Sequence, residues 1–228
     1  MTAIHLHNVQ FRWAAQMQNT LYIPELSVQR GDKVFIQGHS GSGKTTLLNL
    51  IAGIHCPQQG KVQVLDTDLT VLSAMQRDRF RAQHLGIIFQ QFNLLPYLSL
   101  LENVQLPCQF SSQRKAKAGN IMQTSLHLLD ELQIARSMLH KPVNTLSVGQ
   151  QQRVAVARAL IGQPEIIIAD EPTSALDTEN RQRFLDLLFS EIEQRASTLI
   201  FVSHDPSLAT HFSTHIQLAE LNAITLSV

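Results

Sequence analysis

Apolar and polar positions change their period several times along this chain of 228 residues. Over residues 3–11, Ile4, Leu6, Val9 and Phe11 alternate with His5, His7 and Gln10, a spacing of two that predicts a strand buried on one face. Lys61-Val-Gln-Val-Leu reads the same way after the turn residues Pro57-Gln-Gln-Gly60. Four other runs are apolar throughout: Val34-Phe-Ile, Leu85-Gly-Ile-Ile-Phe, Ile166-Ile-Ile-Ala and Thr198-Leu-Ile-Phe-Val. Such runs suit a parallel sheet covered on both faces. Between Asn93 and Gly162 the strand signal stops and helical spacing takes over, over roughly 98–105, 113–132 and 148–161, with breaks at Pro96, Pro107 and Pro142. Ser111 to Lys117, the most loop-like and basic stretch, reads as a solvated helix start. Strands resume at Ile166. The order predicts a helical insertion in an α/β core rather than two successive domains.

Composition narrows this picture by exclusion. Lysine and arginine (18) balance aspartate and glutamate (18), a neutrality that gives poor support for a nucleic-acid-binding role. Cys56 and Cys108 form no C-x-x-C unit and suggest buried thiols in a reducing compartment. The N-terminal residues lack the pattern of a signal peptide. No run of about 18 apolar residues offers a membrane span, so any membrane role comes through a partner.

The candidate chemistry gathers where buried runs end. Val34–Gln37 leads into Gly38-His-Ser-Gly-Ser-Gly-Lys-Thr45, and a helical stretch follows from Thr46. This is the phosphate-loop pattern G-x-x-x-x-G-K-[ST] between a strand and a helix. Its glycines let backbone N–H groups form a concave nest at a helix start. Lys44 would meet the β/γ-phosphates, and Thr45 would ligate Mg²⁺. Leu85–Phe89 ends in Gln90, Ile166–Ala169 in Asp170-Glu171, and Thr198–Ser203 in His204. Open α/β sheets bind ligands beyond the carboxyl ends of their strands, so four such endings point to one site. Asp170 would orient the Mg²⁺ shell beside Thr45, and Glu171 would polarise an attacking water. His211 and His215 are four apart but have no third metal ligand and read as surface residues.

Residues 145–161 give a second signal. Ser147 is a good N-cap, and Val154, Ala157, Leu160 and Ile161 form a buried face at helical spacing. A Ser-capped, Gly-containing helix start is also an anion site, although an ordinary amphipathic helix would show the same face.

Together these segments resemble the nucleotide-binding subunit of an ATP-binding-cassette (ABC) transporter across nearly the whole chain. The resemblance implies a P-loop NTPase (RecA-like) α/β core with an antiparallel β subdomain and an inserted helical subdomain. It makes residues 1–228 a single nucleotide-binding domain, with core 1–92 and 162–228 and helical part about 93–161. It makes Gly38, His39, Ser40, Gly41, Ser42, Gly43, Lys44, Thr45 and Thr46 the Walker A contacts to ATP. Walker B is Ile166–Asp170 with Glu171 the catalytic glutamate, and Thr45, Gln90 and Asp170 hold Mg²⁺. Gln90 is the Q-loop residue, His204 the switch histidine, and Ser174-Ala-Leu-Asp177 the D-loop. The signature motif is Leu146-Ser-Val-Gly-Gln150, with Ser147, Gly149 and Gln150 facing a partner's nucleotide and Val148 in place of the usual glycine. Trp13 falls where the family keeps an aromatic on adenine, though it could equally cover the sheet edge.

The implied partners are a second cassette, paired head to tail as a homodimer, and an integral membrane permease, at the cytoplasmic face of the inner membrane; no nucleic acid is implied. The stretch Phe89–Val104 is similar to the bacterial lipoprotein-release and macrolide-export branch, whose permeases carry a large periplasmic domain. Leu94, Leu95 and Tyr97 are then expected at the permease groove, or packed within the helical insertion. The alternative is a regulatory ATPase of a non-transporting transmembrane signalling complex, as in cell-division relatives.

Overall fold

A computed structural model describes residues 1–14, 18–174, 176 and 178–224, with the backbone alone at 178–180. In chain order the elements are β1 (Thr2–Phe11), β2 (Leu21–Gln29), β3 (Lys33–Gln37), α1 (Lys44–Ile51), β4 (Gln59–Val64), β5 (Thr67–Asp68), α2 (Ala74–His84) and β6 (Leu85–Ile88). Then follow α3 (Leu100–Phe110), α4 (Ser112–Ala118), α5 (Ile121–Glu131), α6 (Val148–Leu160), β7 (Ile166–Asp170), α7 (Thr178–Arg195), β8 (Thr198–Ser203), β9 (Thr214–Gln217) and α8 (Leu218–Leu221). The chain divides into two compact units, one of residues 1–81 with 198–228 and the other of residues 82–197.

In the first unit β2-β1-β4-β5 form an antiparallel sheet, and β8 and β9 pair with β3 in parallel. The buried residues of β1 slip by one position, from Ile4 and Leu6 to Val9 and Phe11. Asn8, left-handed at φ 51°, makes that slip, and the register with β4 shifts there. Gly60 lies against it: a Cβ there would be 2.2 Å from the Asn8 carbonyl oxygen, so the bulge requires glycine opposite. β9 is an edge strand with alternating exposure, and its short THIQ sequence carries too little apolar signal to read in advance.

The second unit holds the parallel pair β6–β7 and the helices α3 to α7. Among described residues no regular strand lies between β6 and β7, as the hydrophobic period predicts. Three local expectations are corrected. The helical stretch expected over 113–132 is two helices, α4 and α5, parted at Gly119 with φ 61°. Pro107 does not end a helix but lies inside α3. The buried face Leu100, Leu101, Val104 and Cys108 spans the proline, and its packing carries the helix on to Ser111. Nor is the start of α4 solvated throughout, because Arg114 is 2% exposed.

Its guanidinium donates to the carbonyls of Ala159 (2.7 Å), Ile161 (2.8 Å from Nε) and Leu85 (3.2 Å), binding the last turn of α6 to the first residue of β6. A cation there also meets the negative end of the α6 dipole. Burial lowers its pKa to about 10, which leaves it charged at neutral pH. α7 was not marked by the strand–helix reading, yet Phe184, Leu185, Leu188 and Ile192 bury one face at helical spacing. α2 buries only Phe80 and has no apolar stripe to betray it. No helix among the described residues is long and apolar enough to cross a membrane.

Arg114→Met should leave several buried carbonyls without donors and cost roughly 2–4 kcal/mol of stability, read as a lower urea midpoint with the slope unchanged.

Candidate active site

The first unit builds a phosphate-sized cradle between β3 and α1. Parallel pairing sets Gln37 opposite both Ser203 of β8 and Gln217 of β9, so the three strands deliver their ends together. Gln217 Nε2 donates to Gln37 Oε1 at 2.7 Å. Beyond these ends Gln37, Gly38, His39, Ser42, His204, Gln217 and Ala219 line a cavity of about 70 Å³. His204 thus stands beside the loop, as its place after β8 requires.

Gly43 caps α1 in the left-handed conformation (φ 98°) and, having no side chain, offers the helix start no cap of its own. A helix start of this kind suits an anion. A Cβ at Gly43 would come within 2.8 Å of Leu21 Cδ2, and one at Gly38 within 2.6 Å of Ser42 Oγ. The loop has no room for larger residues at either position. Lys44 is 8% exposed, and its ammonium donates to the carbonyls of Gly38 (2.8 Å) and His39 (2.9 Å), which hold it inside the loop. Ser42 Oγ is buried without a hydrogen-bond partner. The orphaned Ser42 hydroxyl, the start of α1 and a buried ammonium are a donor set that a polyphosphate fits.

Thr45 is exposed on the first turn of α1 and Thr46 is buried; His39, Ser40 and Gly41 form the exposed crown of the loop. Trp13, 37% exposed, meets Phe11 and His55 edge-on, with centroids 5.1 and 5.0 Å apart. The Gln58 side chain fixes the residue before it, accepting from Arg12 N and donating to Arg12 O, both at 2.9 Å.

The second unit gathers the remaining candidates around α6. Ile88 of β6 pairs opposite Ala169 of β7, and both strands continue in the same direction to Gln90 and to Asp170-Glu171. Gln90 is exposed, Asp170 half-buried and Glu171 7% exposed. Glu171 has φ 48°, a conformation that a non-glycine residue adopts only when its surroundings hold it. Gln152 of α6, 2% exposed, donates from Nε2 to the Pro172 carbonyl at 2.6 Å and anchors that turn.

Arg158 of α6 donates to the carbonyls of Phe92 (2.5 Å) and Asn93 (2.6 Å), two further left-handed residues at φ 60° and 48°. Burial lowers the Arg158 pKa to about 10. At the other end of α6, Ser147 and Gln150 form a capping box: Ser147 Oγ accepts from Gln150 N (3.3 Å) while Gln150 Oε1 accepts from Ser147 N (3.0 Å). The Gln150 amide is therefore engaged in the cap, whereas Ser147 stays exposed and a Cβ on Gly149 would meet nothing within 4 Å. Val148 is 50% exposed beside them.

Each unit carries its own share of the sequence-derived candidates. Trp13, Gly38–Thr46 and His204 belong to the first; Gln90, Ser147, Gly149, Gln150, Asp170 and Glu171 belong to the second. Of the D-loop positions, Ala175 and Asp177 lie outside the described residues. Tyr97 is 78% exposed, but Leu94 and Leu95 are half-buried, with the Leu95 backbone held on both sides by the Asn103 side chain. His211 and His215 join no metal cluster among the described residues, and His215 Nε2 lies 2.9 Å from the Phe212 carbonyl oxygen. Sequence reasoning missed Gln152 and Arg158. Gln152 is hidden in the polar run Gln150–Arg153, and the signal of Arg158 is a lone cation in the apolar stretch that follows.

Comparison with known proteins bears on these features. The ABC transporter family profile matches residues 22–174. The chain is 40% identical over 194 residues to the ABC transporter ATP-binding protein YbbA of Escherichia coli K12, covering 85% of this chain and 83% of YbbA. It is 39% identical over 195 residues to the macrolide export ATP-binding/permease protein MacB of Campylobacter jejuni, covering 86% of this chain but 30% of MacB. Among solved structures, the dimeric post-hydrolysis state of the ATP-binding cassette MJ0796 with ADP and Pi superimposes with a TM-score of 0.83. Its identity is 34%, over 94% of this chain and 93% of that one.

Gly43→Ala should strain the loop and press on Leu21, weakening nucleotide binding about tenfold or more. A fluorescent-nucleotide titration against wild type checks this.

Proposed function

The chain belongs to the ABC transporter family, and on that premise we propose that it is the ATP-hydrolysing subunit of a bacterial membrane export complex, working as a head-to-tail pair of cassettes. The family assignment itself makes it an ABC transporter ATP-binding protein of P-loop NTPase fold. The proposal goes further, to roles, partners and place.

One observation carries it. Among the described residues two helix starts are suited to anions, α1 behind the Gly38–Thr45 loop and α6 behind Ser147. A nucleotide has a single γ-phosphate, so one chain has a surplus site. A second cassette that lends its α6 start to the first chain's nucleotide accounts for the surplus, and the solved MJ0796 cassette is a dimer.

In this reading the loop N–H groups and Lys44 bind the β- and γ-phosphates, with Ser42 Oγ as a further donor and Trp13 beside the base. Thr45, Gln90 and Asp170 would hold Mg²⁺, which when bound neutralises charge on the phosphate oxygens. Glu171, held in its strained turn, takes a proton from the attacking water. His204 lies at the γ-phosphate end of the loop cavity. Ser147 and Gly149 serve the partner's nucleotide, with the Ser147 hydroxyl proton and the first-turn N–H groups as donors.

Residues 1–92 and 162–228 act as the core and about 93–161 as the helical part that faces the permease, with Tyr97 its most exposed aromatic group. The name of the C. jejuni relative, a macrolide export protein, favours export. A permease with a large periplasmic domain, and peripheral residence at the cytoplasmic face of the inner membrane, belong to the same proposal.

Glu171→Gln should retain ATP binding while turnover falls about 10²–10⁴-fold; turnover near wild type removes Glu171 as base. Ser147→Arg should leave ATP binding by the monomer intact and abolish ATP-dependent pairing in size-exclusion chromatography. Full ATPase activity from a strictly monomeric sample would defeat the paired reading.

A further inference from the structure

Helices α5 and α7 share an ionisable cluster, built around the buried Glu191, that nucleotide chemistry does not use. Glu191 on α7 is 2% exposed, and Arg195, one turn along, brings Nη1 within 2.6 Å of Glu191 Oε2. The same guanidinium reaches Glu131 Oε2, at the end of α5, across 3.8 Å. Glu131 Oε1 in turn lies 3.2 Å from His127 Nε2. One guanidinium thus draws both carboxyl groups together, at 2.6 and 3.8 Å. Glu131 Oε2 and Glu191 Oε2 are both buried, and neither contact with Arg195 has the alignment of a hydrogen bond.

Ionised carboxylates only accept, so two of them facing each other leave both unsatisfied. A single proton turns one into a donor and completes the pair, as in carboxyl dyads that share a proton. Arg195 offsets one negative charge and leaves the other to be neutralised by that proton. The alternative neutraliser, His127, is 67% exposed and screened by water.

We propose that Glu131 and Glu191 form a proton-operated clasp between α5 and α7, closed while the two carboxyl groups share one proton and loosened when it leaves. The groups that act on Glu191 are Arg195 from its own helix and Glu131 and His127 from α5. Burial, opposed by the attraction of Arg195 and assisted by Glu131, raises the Glu191 pKa to about 7. The folded chain thus holds this proton more tightly than the unfolded chain, where glutamate has its ordinary value of 4.5. The stabilisation is complete below that ordinary value and is lost as pH rises through about 7. α7 begins shortly after the Glu171 turn and α5 lies in the helical stretch before Ser147, so the clasp sets how firmly these two parts of the second unit are joined.

Thermal unfolding of the full chain between pH 5.5 and 8.5 tests this. Wild type is expected to lose about 3–6 °C more than Glu191→Gln across the window, because the carboxamide cannot ionise. Arg195→Met should move the midpoint of the wild-type loss to higher pH. A carbon-13 carboxyl titration of the wild-type protein should show one glutamate resonance with a midpoint near 7 that is missing in Glu191→Gln. Parallel unfolding profiles for wild type and Glu191→Gln, or every glutamate titrating below about pH 5.5, would overturn the clasp. Neither measurement uses nucleotide, so its outcome is independent of the ATPase reading.

Discussion

Parallel strand pairing is the constraint on which the rest depends. A strand can place a loop or a single side chain with accuracy only at its end, and neighbours in parallel register end on the same side. Gln37 opposite Ser203 and Gln217 brings the phosphate loop, His204 and the β9 terminus to one cavity. Ile88 opposite Ala169 does the same for Gln90 and Asp170-Glu171. The buried apolar stretches that make these strands therefore also decide where polar chemistry can appear.

Strain needs a different support. Glu171, Phe92 and Asn93 all stand in left-handed backbone, which costs about 1–3 kcal/mol per residue. The compensating bonds come from α6: Gln152 to the Pro172 carbonyl, Arg158 to those of Phe92 and Asn93. The same helix ends in carbonyls held by Arg114 and begins with the Ser147–Gln150 box. One helix thus connects a capped, exposed start with two strained turns, and displacement at any of them is felt by the others.

Much of this was legible before the structure. The buried runs gave β3, β6, β7 and β8, the alternation gave β1 and β4, and the strandless stretch gave the helical region but not the break between α4 and α5. The fold class follows from that order together with the phosphate-loop motif, and the family match agrees. What stayed hidden has physical causes. The edge strand β9 buries almost nothing, and α2 lacks an apolar stripe. Pro107 and Arg114 obey local rules as a breaker and a surface cation until tertiary packing overrides them. Within the candidate site, motif residues announce themselves by type and spacing. Gln152 and Arg158 do not, because their task is to hold carbonyls of segments distant in sequence.

Trp13 is the chain's sole tryptophan, packed edge-on between Phe11 and His55 with more than a third of its surface open. Selectively excited indole emission from this protein therefore arises at one spot. Its intensity and wavelength report the solvation of that ring, so the unmodified chain carries an optical probe within its first unit.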